Sequence, residues 1–284
     1  MNRTIPMTAA AMALLAFSTA QAQNLSLPPL VVGETVDIGT DLASSWLTYS
    51  TAGPGATCPG ALSYCLDIDS AQLLGSTDAS GVLTTPPIPE AAAGDFVWMQ
   101  AGDAAGDKTN TVRALVARDT YSVGVTSVET FSGDDRVRAN KFGLHYGGDY
   151  VAEYGFWLTL PEECELHFWV LEEDAWGPSS PSLVYHDSTV VGPGHGYYRA
   201  PDLDDYYAGY NDSFYLAVGW TGCGDVEYER GDDDMVSSHP SGYSEDMYHR
   251  AAYYQDNWTG GTPTLTVGTA FGTAYRMTLF PDAY

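Results

Sequence analysis

Two stretches decide the fold: Cys164–Glu172, CELHFWVLE, and Phe214–Cys223, FYLAVGWTGC. In the first, Leu166, Phe168 and Val170 fall on one face of an extended chain, and His167, Trp169 and Leu171 on the other. In the second, Phe214, Leu216, Val218 and Trp220 recur at the same period of two. That period belongs to a β-strand, because successive side chains alternate across a pleated backbone. Apolar residues on both faces mark strands buried on both sides. One cysteine opens the first stretch and another closes the second, so antiparallel neighbours bring Cys164 and Cys223 together.

Outward from this pair, the chain has 284 residues, enough for one large or two ordinary domains. The first 22 residues read as a secretory signal: Arg3, an apolar run Ala9–Phe17, then the small residues of Ala20-Gln21-Ala22 at a cleavage site before Gln23. No later run has the length and apolarity of a membrane helix, so membrane insertion is not expected. An exported product is expected to be extracellular, at the cell surface or periplasmic. It meets an oxidising compartment, where its four cysteines pair. Cys58–Cys65 and Cys164–Cys223 keep each bridge inside one candidate domain. The chain-entropy argument gives the longer loop ~4 kcal/mol and the shorter ~2–3 kcal/mol.

The net charge of −26 becomes −27 once Arg3 is removed, with 37 acidic residues remaining. Nucleic acid is excluded as a partner, since phosphate binding needs basic clusters.

Short strand candidates with Gly/Pro turns fill residues 23–118, among them Trp46–Tyr49, Val82–Thr84 and Phe96–Met99. This pattern predicts a small Ig-like β-sandwich. A polar join over 119–127 leads to a second unit, 128–284, with strands at Lys141–Tyr146, Tyr154–Leu160, Leu183–Val191 and Thr273–Phe280. This second unit reads as a jelly-roll-like sandwich, with its longest loop at Gly222–Gly261. The fold class expected is therefore all-β, in two sandwich domains.

The run CPGALSYCLDIDSAQLLGSTDASGVLT resembles an N-terminal module of secreted proteins from Gram-negative, often predatory, bacteria. ANKFGLHY, LHFWVLEE, GHGYYRAPDL and FYLAVGWTG resemble a β-sandwich module of similar proteins. The resemblance implies a two-module secreted β protein and brings no catalytic residues with it.

Two constellations could carry function. Tyrosine pairs Tyr197-Tyr198 and Tyr206-Tyr207, with Trp258, offer flat rings that can stack on sugar faces, although alternation turns about half of such rings inward. Asp202, Asp204 and Asp205, and Asp232, Asp233 and Asp234, gather hard oxygen ligands that suit calcium (Ca2+), though without EF-hand spacing. The six histidines show no H-E-x-x-H or H-x-H spacing, and no G-x-S-x-G elbow is present. The expectation is a secreted, non-catalytic protein that binds a glycan, a matrix component or an extracellular protein. The alternatives are self-association into a structural polymer and a glycan-active hydrolase.

Overall fold

The computed structural model describes residues 24–60, 63–118, 120–124, 129–144, 149–173, 181–203, 206–209, 213–232, 235–237, 247–268 and 273–281. The leader expected over 1–22 lies outside them. Among the described residues the chain is β-strand and loop, with one turn of 3-10 helix at Glu90–Ala92 and no α-helix. Among the described residues no helix is long and apolar enough to cross a membrane.

The two deciding stretches are adjacent antiparallel strands, Cys164–Glu173 and Ser213–Trp220, in a six-stranded sheet. Phe168 pairs with Val218 and Trp169 with Ala217, so both apolar faces stay in register. The sheet runs Ser182–Val191, Cys164–Glu173, Ser213–Trp220, Arg136–Leu144, Met247–Asp256, Thr266–Val267. Cys164 and Cys223 are bonded, as are Cys58 and Cys65, and no cysteine is free.

Leu166, Phe168, Val170, Phe214, Leu216 and Val218 face a second, nine-stranded sheet across the main core. That sheet is centred on Asp149–Leu160, which supplies Val151, Tyr154, Phe156 and Leu158. The buried Tyr154 hydroxyl crosses the core and donates to the carbonyl of Trp169 at 2.9 Å. Burial raises its pKa well above the ordinary value, so it remains a donor. The other face of the six-stranded sheet carries Trp169, Leu171, Tyr215 and Ala217, capped by Trp258 from the loop after Asp256.

The first part of the chain forms a five-stranded sheet, a three-stranded sheet and a two-stranded ribbon. Leu47, Val97, Met99, Ala114 and Val116 from the five-stranded sheet pack against Leu25 and Ile38 from the three-stranded one.

Two sequence expectations change. Gly222–Gly261, read as the longest loop, contains the strands Val226–Asp232, Met235–Ser237 and Met247–Asp256. In the last of these, Met247 and His249 point inward while Arg250 stays exposed; the inward polar ring hides the alternation. The stretch read as the join contributes Tyr121–Val123, a strand between Met277–Pro281 and Met235–Ser237. Its three residues are too short to carry a periodic signal.

Candidate functional site

The two parts of the chain meet along a seam built on the Asp149–Leu160 strand. Gly194–Arg199 pairs with it antiparallel, setting Arg199 opposite Gly155 and Tyr197 opposite Trp157. Gly155 is required here: a Cβ would lie 2.4 Å from the carbonyl of Tyr198 and 2.6 Å from the Tyr197 ring. Tyr197 therefore packs against bare backbone at Gly155, its hydroxyl donating to Thr278 O at 3.0 Å. It packs with Leu115, Ala117, Ala152 and Phe280 in a cluster shared by both parts.

Beside this cluster Arg199 Nε donates to Glu153 Oε1 at 3.1 Å, with both side chains almost fully buried. Arg199 Nη2 also donates to Leu27 O at 2.9 Å and to Pro28 O at 3.3 Å. The second oxygen of Glu153 accepts the Leu115 N–H at 2.9 Å. Burial pushes the Glu153 carboxyl above its ordinary value, and the Arg199 charge opposes that push. The pair works as a clamp, because each polar atom it buries finds a partner in the other part of the chain or in the other residue.

Outside the clamp lies a cleft of ≈ 650 Å³, within the usual range for a small-ligand site. Its half-buried rings are Phe96, Trp98 and Tyr198. The Arg113 guanidinium sits 3.7 Å from the Phe96 ring centroid and 5.9 Å from that of Trp98. It reaches Asp202 Oδ1 at 3.4 Å, a carboxylate that is largely exposed. Tyr198 donates to Gly194 O at 3.0 Å, and burial pushes its phenol up to about 12. Asn24 fastens the rim, donating to Pro193 O and accepting from Gly192 N. Chemically, the cleft offers the Trp98 and Tyr198 rings beside a cation that lies over the Phe96 ring, a carboxylate and amide groups.

The rings expected to form one platform are dispersed. Tyr198 lines the cleft, whereas Tyr197 is buried beneath it. Tyr206 is buried against Phe214 at 5.3 Å, and Trp258 is buried against Trp169 at 5.1 Å, so neither ring is open to a ligand. Tyr207 is 52% exposed and pairs with Tyr150 at 4.8 Å, away from the cleft lining. Alternation explains the split, since adjacent residues on a strand point to opposite sides. Of the acidic residues, Asp202 lies in the cleft and Asp232 is exposed on the Val226–Asp232 strand. Asp204, Asp205, Asp233 and Asp234 lie outside the described residues. Among the described residues no group of three or more His, Cys, Asp or Glu is placed to hold a metal ion.

Phe96, Trp98 and Arg113 were not anticipated as site residues, because they lie 85 or more positions before Tyr198 in the chain. One signal was available: Arg113 is among only 11 basic residues in a strongly acidic chain. Compared with protein-family models, curated proteins and solved structures, the chain matches none, so the cleft is read from its own geometry.

Proposed function

We propose that this is a secreted, non-catalytic protein, built as a small Ig-like and a larger jelly-roll-like β-sandwich, that binds a glycan in the cleft between them. The observation that carries this reading is the convergence of Phe96, Trp98 and Tyr198 with Arg113 and Asp202 around one ligand-sized space. Sugars combine a C–H face, which stacks on rings, with hydroxyls that need a donor or acceptor at the edge. The cleft supplies both. Glu153 is the one deeply buried carboxylate of the cleft, and its oxygens are committed to Arg199 and Leu115, which favours a clamp over an acid catalyst.

A glycan array with the leaderless protein, followed by calorimetry on the best hits, tests the reading. Trp98→Ala and Tyr198→Ala should each weaken binding about two- to tenfold, in line with the ~0.5–1.5 kcal/mol of a ring contact. Tyr207→Ala, outside the cleft, should leave it unchanged. Binding unweakened by both cleft substitutions, or no glycan binding at all, refutes the proposal.

One observation favours the self-assembling alternative. Ser182–Val191 is a ten-residue strand at the edge of the six-stranded sheet, with Leu183, Val184 and Val190 about half exposed. Such edges can add strands from other chains. Concentration-dependent polymers in sedimentation would support this reading, and a single monomeric species would oppose it.

A further inference from the structure

The outer face of the six-stranded sheet brings together two histidines that stand 19 residues apart in the chain. Glu165, His167 and Trp169 follow at period two on Cys164–Glu173, opposite Val190, Ser188 and His186 on Ser182–Val191. The register sets His167 and His186 on the diagonal, with His167 Nδ1 3.3 Å from His186 Nε2. Indole rings wall the pair: Trp169 lies 5.2 Å from His186, and Trp258 lies 5.0 Å from His167. Gly219 makes room for this wall, since a Cβ there would meet the Trp169 ring at 2.8 Å. On the far side of His167, Nε2 faces Glu165 Oε2 at 3.9 Å, while Glu165 Oε1 accepts the Ser188 hydroxyl at 2.7 Å.

We propose that His167 Nδ1 and His186 Nε2 form a two-nitrogen site for a divalent transition metal of the Cu2+, Ni2+ or Zn2+ class. Two imidazole nitrogens bound at about 2.0–2.1 Å with a tetrahedral angle stand roughly 3.3–3.4 Å apart. The observed spacing matches that distance. The 5.5 Å between ring centroids shows the two nitrogens pointing nearly straight at each other, so a metal in place of the shared proton is reached by a turn of the exposed His186 ring. Glu165 supplies an outer-shell charge, its Oε2 3.9 Å from His167 Nε2, an electrostatic contact longer than a hydrogen bond. Its carboxylate favours the His167 tautomer with the proton on Nε2, which leaves the Nδ1 lone pair for the metal. Imidazole donors select these borderline ions, whereas Ca2+ and Mg2+ prefer oxygen. With two protein ligands, the remaining coordination positions go to water or to a donor on another molecule. The half-buried His167 gives the site its position, and the exposed His186 gives it access.

The two tryptophans provide the readout. The leaderless protein is titrated with CuCl2 in excess calcium chloride, which occupies carboxylate sites, while tryptophan fluorescence is followed. A saturable quench reversed by chelator is expected, with imidazole nitrogen splittings in the EPR spectrum of the Cu2+ adduct. His186→Gln changes an exposed side chain and should leave the melting temperature unchanged while abolishing the saturable phase. His167→Gln should do the same to binding, and Glu165→Gln should weaken it about tenfold, as loss of an outer-shell partner does. An unaltered titration in the His167→Gln/His186→Gln double variant, or no saturable quench in the native protein, overturns the proposal.

Discussion

Replacing Arg199 with methionine tests the clamp between the two parts of the chain. The substitution keeps most of the side-chain volume and removes the charge, so Glu153 stays buried without its counter-ion. Breaking a buried pair by deleting one partner costs about 3–5 kcal/mol. For a chain of this size that corresponds to a fall in melting temperature on the order of 10 °C. The loss should also depend on pH. Without Arg199 only burial and the Leu115 N–H act strongly on the carboxyl, and burial raises its pKa. A carboxyl whose folded pKa exceeds its unfolded value stabilises the fold below the unfolded pKa, and that stability is lost as pH rises through the folded pKa. Arg199→Met should therefore be less damaging near pH 5 than near pH 8. Urea unfolding at both pH values measures this, and Glu153→Leu in the Arg199→Met background should recover much of the loss. A loss below about 1 kcal/mol, or a larger loss at the lower pH, would refute the clamp.

Three further outcomes follow from other parts of the structure. Replacing Cys164 and Cys223 by serine opens a loop with a sequence separation of 59. This should cost about 4 kcal/mol in denaturant unfolding, and reductant should act on the native protein in the same direction. Trp258→Ala uncovers Trp169 and Leu171 on the outer face of the six-stranded sheet. A cost of about 3–5 kcal/mol is expected, whereas Tyr207→Ala should sit within about 0.5 kcal/mol of the native protein. At alkaline pH, Tyr198 and Tyr275 are pushed up to about 12 by burial, from an ordinary value of 10.0. Their unfolded phenols ionise first, so the stability they contribute is full below pH 10 and drains away toward pH 12. Absorbance at the phenolate band should then rise together with the loss of tertiary structure; a fully ionised set of tyrosines in the folded protein would contradict this.

The sequence by itself determined what depends on neighbouring residues. Alternation along CELHFWVLE and FYLAVGWTGC specified two strands and their faces, because the period of two is a property of the extended backbone. The placement of Cys164 and Cys223 at opposite ends of those strands then specified their pairing, which the structure contains. The same alternation warned that only one ring of each tyrosine pair would face outward. It did not say which, because that depends on which sheet covers which face. Only the tertiary structure decided that Tyr198 and Tyr207 are the more open members and that Tyr197 and Tyr206 are core. The strand Met247–Asp256 carries no clear alternation in the sequence because its inward positions include His249, a polar residue that becomes core only where Phe142 packs against it. The cleft joins Phe96 and Trp98 to Tyr198, and the histidine pair depends on the register of two strands. Such contacts arise when separate sheets pack together, and local patterns carry no record of that distance or register.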